Sequence, residues 1–186
     1  MIDPDLIEHM VDWMKSRRYG KYRGVVTDND DAGTHRGRLK VKVPSVLGDL
    51  EVWAEPCVPY AGDGVGFFAM PPVDAGVWVE FEGGDISYPI WVGCYWRDDE
   101  PPNGGDPDVK VLQTDAITMT FDDGSEEARI ETSGANLTMT DKIEAVAKNG
   151  KLTVAAGQVT CDSGGTGKVD VSSSGVVVNN GSLGVS

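Results

Sequence analysis

Four cations alternate along residues 36–42: Arg36, Arg38, Lys40 and Lys42. On an extended strand they share one face, and such a row is one way to hold a single-stranded nucleic acid. Carboxylates gather in turn-like stretches, "DNDDAG" at 28–33 and "FDDGSE" at 121–126. An oxygen-rich loop is what calcium requires, but "DNDD" lacks the glycine and terminal glutamate spacing of an EF-hand. Aspartate beside glycine is also what tight turns use, because its carboxylate accepts from its own backbone. Histidine occurs twice, at His9 and His35, and cysteine three times, at Cys57, Cys94 and Cys161. These cysteines are far apart and form no CxxC pair, so they read as small buried hydrophobes of a reducing compartment. The chain has no P-loop, no G-x-S-x-G, no HExxH and no Cys–His signature. The expectation is no catalytic residue, no cofactor and no metal site.

Charge sharpens this reading. Among 186 residues, 30 acids outnumber 16 cations, a formal net charge of −14. Such a surface repels phosphate backbones and anionic lipid. The cationic row is therefore expected to be a solvated face paired with acids such as Glu80 and Glu82. A single-stranded nucleic-acid-binding barrel is the alternative.

The elements that position these residues fall into two halves. "RDDEPPNGGDPD", residues 97–108, separates a stretch rich in tryptophan, tyrosine and phenylalanine from one whose only aromatic residue is Phe121. Residues 1–18 form an N-terminal segment with a helix over 3–17. Asp3 suits the N-cap and Pro4 the first helical position, while Arg17 and Arg18 favour the C-terminal dipole. Ile7, Met10, Val11 and Met14 share a face, with Leu6 and Trp13 beside it. That face either covers its own domain or docks on a partner; aromatic and methionine side chains are enriched at interfaces.

Residues 19–96 carry five strand-like segments: "YRGVVTD", "RGRLKVKVP", "LEVWAEPCVPY", "GVWVEFEGG" and "YPIWVGCYW". Alternation puts Leu39, Val41 and Val43 on one face, and turns Val77, Val79 and Phe81 inward. Glycine and proline punctuate each junction. Five short antiparallel strands suit a small Greek-key barrel of the OB type.

In residues 109–186 the apolar residues still alternate, but they are small and thinly spread. The rows are Ile117, Met119 and Phe121; Leu137 and Met139; Leu152 and Val154; Val159 and Cys161; Val169 and Val171; Val176 and Val178; Leu183 and Val185. Successive strands begin about seven to ten residues apart. Such rows bury too little apolar surface in one chain to offset the entropy of ordering it. Identical rows from other chains meeting on a common axis would supply the rest. The fold class expected is all-β: a short N-terminal helix, an OB barrel, and an intertwined triple-stranded β-helix in a homotrimer. The axis would be lined by Ile117, Met119, Leu137, Met139, Leu152, Val154, Val169 and Val171.

The order "YRGVVTDNDDAGTHRGRLKVKVPSV", "VPYAGDGVGFFAMPPVDAGVWVEFEGGD", "YPIWVGCYW" resembles the OB domain of contractile-tail spike proteins. That family includes phage baseplate assembly protein V and the VgrG spikes of type VI secretion. The resemblance implies a trimeric, membrane-puncturing needle joining a separate tail hub to a PAAR-like tip protein, with baseplate components or effectors as further partners and a cell envelope as target. Ile7, Met10, Val11, Trp13 and Met14 would meet the hub, and Val176, Val178, Leu183 and Val185 the tip protein. The iron-gathering HxH pair of some family needles is missing near the C-terminus, and 97–108 is too short for an inserted lysozyme domain. Without an apolar Sec signal at the N-terminus, the chain would be made in the bacterial cytoplasm and assembled into the baseplate. A trimeric tail fibre or adhesin is the other β-rich reading.

Overall fold

The computed structural model describes residues 4–179 and Ser182. It is mostly β, and it divides into two compact units, Met1–Asp99 and Glu100–Ser186. No described helix is long and apolar enough to cross a membrane.

Helix α1 (Pro4–Ser16) leads the first unit. Proline occupies its first turn, where no N–H is needed; Asp3, the expected N-cap, lies outside the described residues. The barrel follows: β1 (Tyr22–Asp28), β2 (Leu39–Lys42), the one-turn α2 (Pro44–Leu47), β3 (Glu51–Pro56), the small hairpin β4 (Ala61–Gly62) and β5 (Val65–Gly66), then β6 (Gly76–Phe81) and β7 (Pro89–Tyr95). The long strands close in the order β1-β2-β3-β7-β6, and β6 returns to β1.

The alternation read from the sequence builds the core. Leu39, Val41, Val43, Val77 and Val79 are fully buried, and Val26, Ala54, Phe81 and Trp91 join them. Trp91 satisfies its indole N–H by donating to Gly37 O at 3.1 Å, as a buried polar group must. One expectation fails. The five strands are not all antiparallel, because β3 and β7 run parallel, with Glu55 opposite Ile90 and Pro56 opposite Trp91. The reason is parity: a closed ring with an odd number of strands cannot alternate direction at every seam.

The second unit is a single antiparallel meander. Its strands are β8 (Val109–Gln113), β9 (Thr118–Asp122), β10 (Glu127–Glu131), β11 (Ala135–Met139), β12 (Ile143–Ala147), β13 (Gly150–Ala155), β14 (Gln158–Asp162), β15 (Lys168–Ser172) and β16 (Gly175–Val178). Each pairs with the next in chain order. The turns explain the aspartates. Asp122 accepts from the N–H groups of Gly124 and Ser125, Asp162 from Gly164, and Asp106 from Asp108. In the barrel Asp28 does the same for Asp30, and Asp85 for Ser87. These carboxylates close turns. None of the described residues from 100 to 179 is buried.

Candidate functional site

Strand register decides which side chains of the meander share a face. One row runs Phe121, Ala128, Met139, Ile143, Val154, Val159, Val171, Val176, each opposite the next across the ladder. A second row on the same face runs Leu112, Met119, Ile130, Leu137, Ala145, Leu152, Cys161, Val169, Val178. The opposite face carries Thr120, Arg129, Thr138, Glu144, Thr153, Thr160 and Asp170. Seven of the eight residues expected on a common axis therefore lie on one face. Ile117 precedes β9 and sits in a turn that Thr114 N–H closes onto its carbonyl at 2.9 Å.

Exposure runs against polarity. Val154, Val159, Val169, Val171 and Val176 are exposed, whereas Thr153, Thr160 and Asp170 behind them are half-buried. The polar face is tied together: Asp170 accepts from Thr160 Oγ1 at 2.6 Å and pairs with Lys168 Nζ at 3.0 Å. Glu144 bridges Lys151 at 2.5 Å and Lys142 at 3.0 Å. These partners hold both carboxyls below their usual range, through Lys151 then Lys142 for Glu144 and through Thr160 then Lys168 for Asp170. Within the described residues of this unit, no element packs across the valines of the apolar face. Contiguous apolar surface of this extent marks an interaction site.

Side-chain size falls along that face. Apart from Ala128 and Ala145, strands β8 to β12 contribute the large Leu112, Met119, Phe121, Ile130, Leu137, Met139 and Ile143; β13 to β16 contribute Leu152, Cys161 and valines. Of the residues expected at the tip, Val176 and Val178 belong to the last described strand, while Leu183 and Val185 lie outside the described residues. The rows through Leu112, Ala128, Ile130, Ile143 and Ala145 were not anticipated. Period-two alternation in "EARIE" and "IEAVA" is their signal, weakened because alanine and glutamate dilute the apolar count.

A second uncovered surface is α1. Leu6, Ile7, Met10, Val11, Trp13 and Met14 are all exposed, Met14 to 63%, so the helix does not cover its own domain. Its apolar arc is wide, and Asp5, Glu8 and Asp12 lie on the other side. A third is the β4–β5 hairpin, where Tyr60, Val65, Phe67 and Phe68 are exposed around a groove of about 380 Å³ floored by Pro56, Met70 and Trp91.

The cationic row is neutralised. Arg36 pairs with Glu55 at 3.3 Å, Arg38 with Asp31 at 2.7 Å, Lys40 with Glu51 at 3.3 Å and Lys42 with Asp49 at 3.5 Å. The acids differ from those expected, since Glu80 pairs with Lys21. The sequence reading missed Asp31, whose buried carboxylate also accepts from Thr34 Oγ1 and the N–H of Arg36. The cysteines depart from expectation too: Cys57, Cys94 and Cys161 are exposed. Cys57 follows the end of β3, Cys94 lies opposite Val77 beyond the bulge near the end of β7, and Cys161 stands on the apolar sheet face. Among the described residues, no three His, Cys, Asp or Glu side chains cluster as metal ligands would.

A five-stranded closed barrel with a parallel seam between its third and last strands defines an OB fold. Residues 22–96 match the Type VI secretion system/phage-baseplate injector OB domain, and the barrel belongs to that family. The match spans the barrel and ends with it. For that barrel the match supports a structural role in a phage or type VI baseplate. No relative among curated proteins matches the sequence.

Proposed function

We propose that the chain is the central spike of a contractile injection baseplate: a homotrimer whose residues 109–178 close into a needle, apolar faces inward. The carrying observation is the inverted exposure of the meander, with valines bare and the hydrogen-bonded polar face half-buried. Three copies around an axis would bury two apolar rows each and leave Glu144, Lys151, Asp170 and Lys168 outside. Heterologous contacts whose rotation closes give a cyclic ring such as a trimer. The shrinking side chains from Phe121 and Met139 to Val171 and Val176 favour a needle that narrows toward β16.

On this reading α1 docks the spike on a separate hub through Ile7, Met10, Val11, Trp13 and Met14. The acidic outer side of α1 disfavours a membrane surface as its target. Strand β16 bears valine on both faces, Val176 and Val178 on one and Val177 on the other. As the edge strand among the described residues, it suits a tip protein that adds strands. The role is mechanical, with no catalytic residue and no cofactor. A tail fibre or adhesin would share the trimeric needle; the barrel's family favours the spike.

Native mass measurement of the full chain tests the core of this reading. Three times the 19.8 kDa chain mass is expected, and a well-folded monomer at micromolar concentration would refute it. Deleting residues 4–16 should leave that trimer intact and prevent its incorporation into particles.

A further inference from the structure

The root of α1 is a built joint. Arg17, one residue past the helix, places Nη1 2.9 Å from Asp85 Oδ2. The N–H of Arg18 donates to Gly84 O at 2.8 Å. Both acceptors belong to the "EGGD" turn between β6 and β7. Gly84 has φ +75°, and a Cβ there would come within 3.0 Å of Arg17 Cβ and of the Tyr19 ring. Only glycine lets this turn lie so close to the chain leaving the helix. The Arg17 guanidinium also stands 5.1 Å from the Trp13 ring centroid, on the apolar side of α1. Asp85 is held in place by the N–H of Ser87 at 3.0 Å.

Arg17 and Asp85 contribute nothing to the nine-residue barrel core, and the apolar residues of α1 beyond the joint are exposed. For a short helix tied at its root, the joint sets the helix's direction. We infer that Arg17, Gly84 and Asp85 are positioning residues that aim the apolar arc of α1 at its partner. The inference rests on the docking role proposed for α1. Its physical basis is preorganisation: a helix already aimed loses less freedom on binding than one that swings.

The test uses the full chain with Asp85→Asn, which keeps an acceptor for Ser87 N–H but removes the charge, and Asp85→Ala. Trypsin cleavage after Arg17 and Arg18 reports how often the joint opens. Losing a charge-assisted bond should speed it roughly tenfold, with the barrel's melting unchanged and incorporation into particles reduced. Equal cleavage rates in both variants and wild type would overturn the inference. So would faster cleavage with undiminished incorporation. If deletion of residues 4–16 blocks incorporation while cleavage rates stay equal, the docking role survives and the joint does not.

Discussion

Asp31 Oδ1 lies 2.7 Å from Arg38 Nη2 and 3.1 Å from its Nε, so one carboxylate grips the guanidinium through two nitrogens. Thr34 and the N–H groups of Arg36 and Arg38 also donate to the carboxylate, and the guanidinium stacks 5.4 Å from the Trp53 ring centroid. The loop between β1 and β2 is thus folded around a single acid.

Asp31→Ala should lower the barrel's melting temperature by several degrees and loosen residues 29–38 in hydrogen exchange, leaving the oligomer unchanged. Arg38, then Thr34, holds the Asp31 carboxyl far below the usual aspartate range. Its contribution is therefore present above the unfolded value of about 3.9 and lost as pH falls below it. The gap between acid melting curves of wild type and Asp31→Ala should begin to narrow there and close only as pH falls through the far lower folded value; a constant gap would refute the assignment.

Replacing Val169 and Val171 together by aspartate should dissociate the trimer. Six carboxylates would crowd one axis without partners, a heavy penalty for buried charge. Light scattering should report the single-chain mass of 19.8 kDa, and an intact trimer would exclude these residues from the axis.

Cys161 provides a chemical reporter. It stands between Leu152 and Val169 on the apolar face, whereas Cys57 and Cys94 are on the barrel. In the assembled protein a thiol reagent should label Cys57 quickly and Cys161 slowly, with Cys94 slowed by the burial that pushes its thiol up. In the doubly aspartate-substituted chain Cys161 should react as quickly as Cys57. Rapid labelling of Cys161 in wild type would place that face in solvent.

Single-stranded DNA should not bind. Each cation of the 36–42 row faces a carboxylate within 3.5 Å, and the chain's net charge is −14. Fluorescence anisotropy of a labelled oligonucleotide should stay flat from low to moderate salt. A salt-dependent rise would revive the nucleic-acid reading.

Glu144 and Asp170 should make the needle sensitive to acid. Both carboxyls are held below their ordinary values by partners on the polar face. They stabilise the fold above the unfolded values of about 4 and cease to do so as pH falls. Glu144→Gln should flatten the acid limb of the melting curve relative to wild type.

Much of the architecture is local and so is written along the chain. Leu39, Val41, Val43, Val77, Val79 and Phe81 announce their faces by a period of two, and the same period marks most rows of the meander, because a strand's side chains alternate whatever surrounds them. Turn aspartates likewise act within two or three residues. What the sequence alone did not reveal depends on distant partners. The parallel seam of β3 and β7 follows from ring closure, and the neutralised cationic row from which loops bring Asp31, Asp49 and Glu51 alongside. Asp31 looked like any turn acid until Arg38 came within 2.7 Å. The cysteines were misjudged because burial is set by what covers a face. Only the tertiary structure showed Cys161 and the apolar side of α1 to be exposed among the described residues.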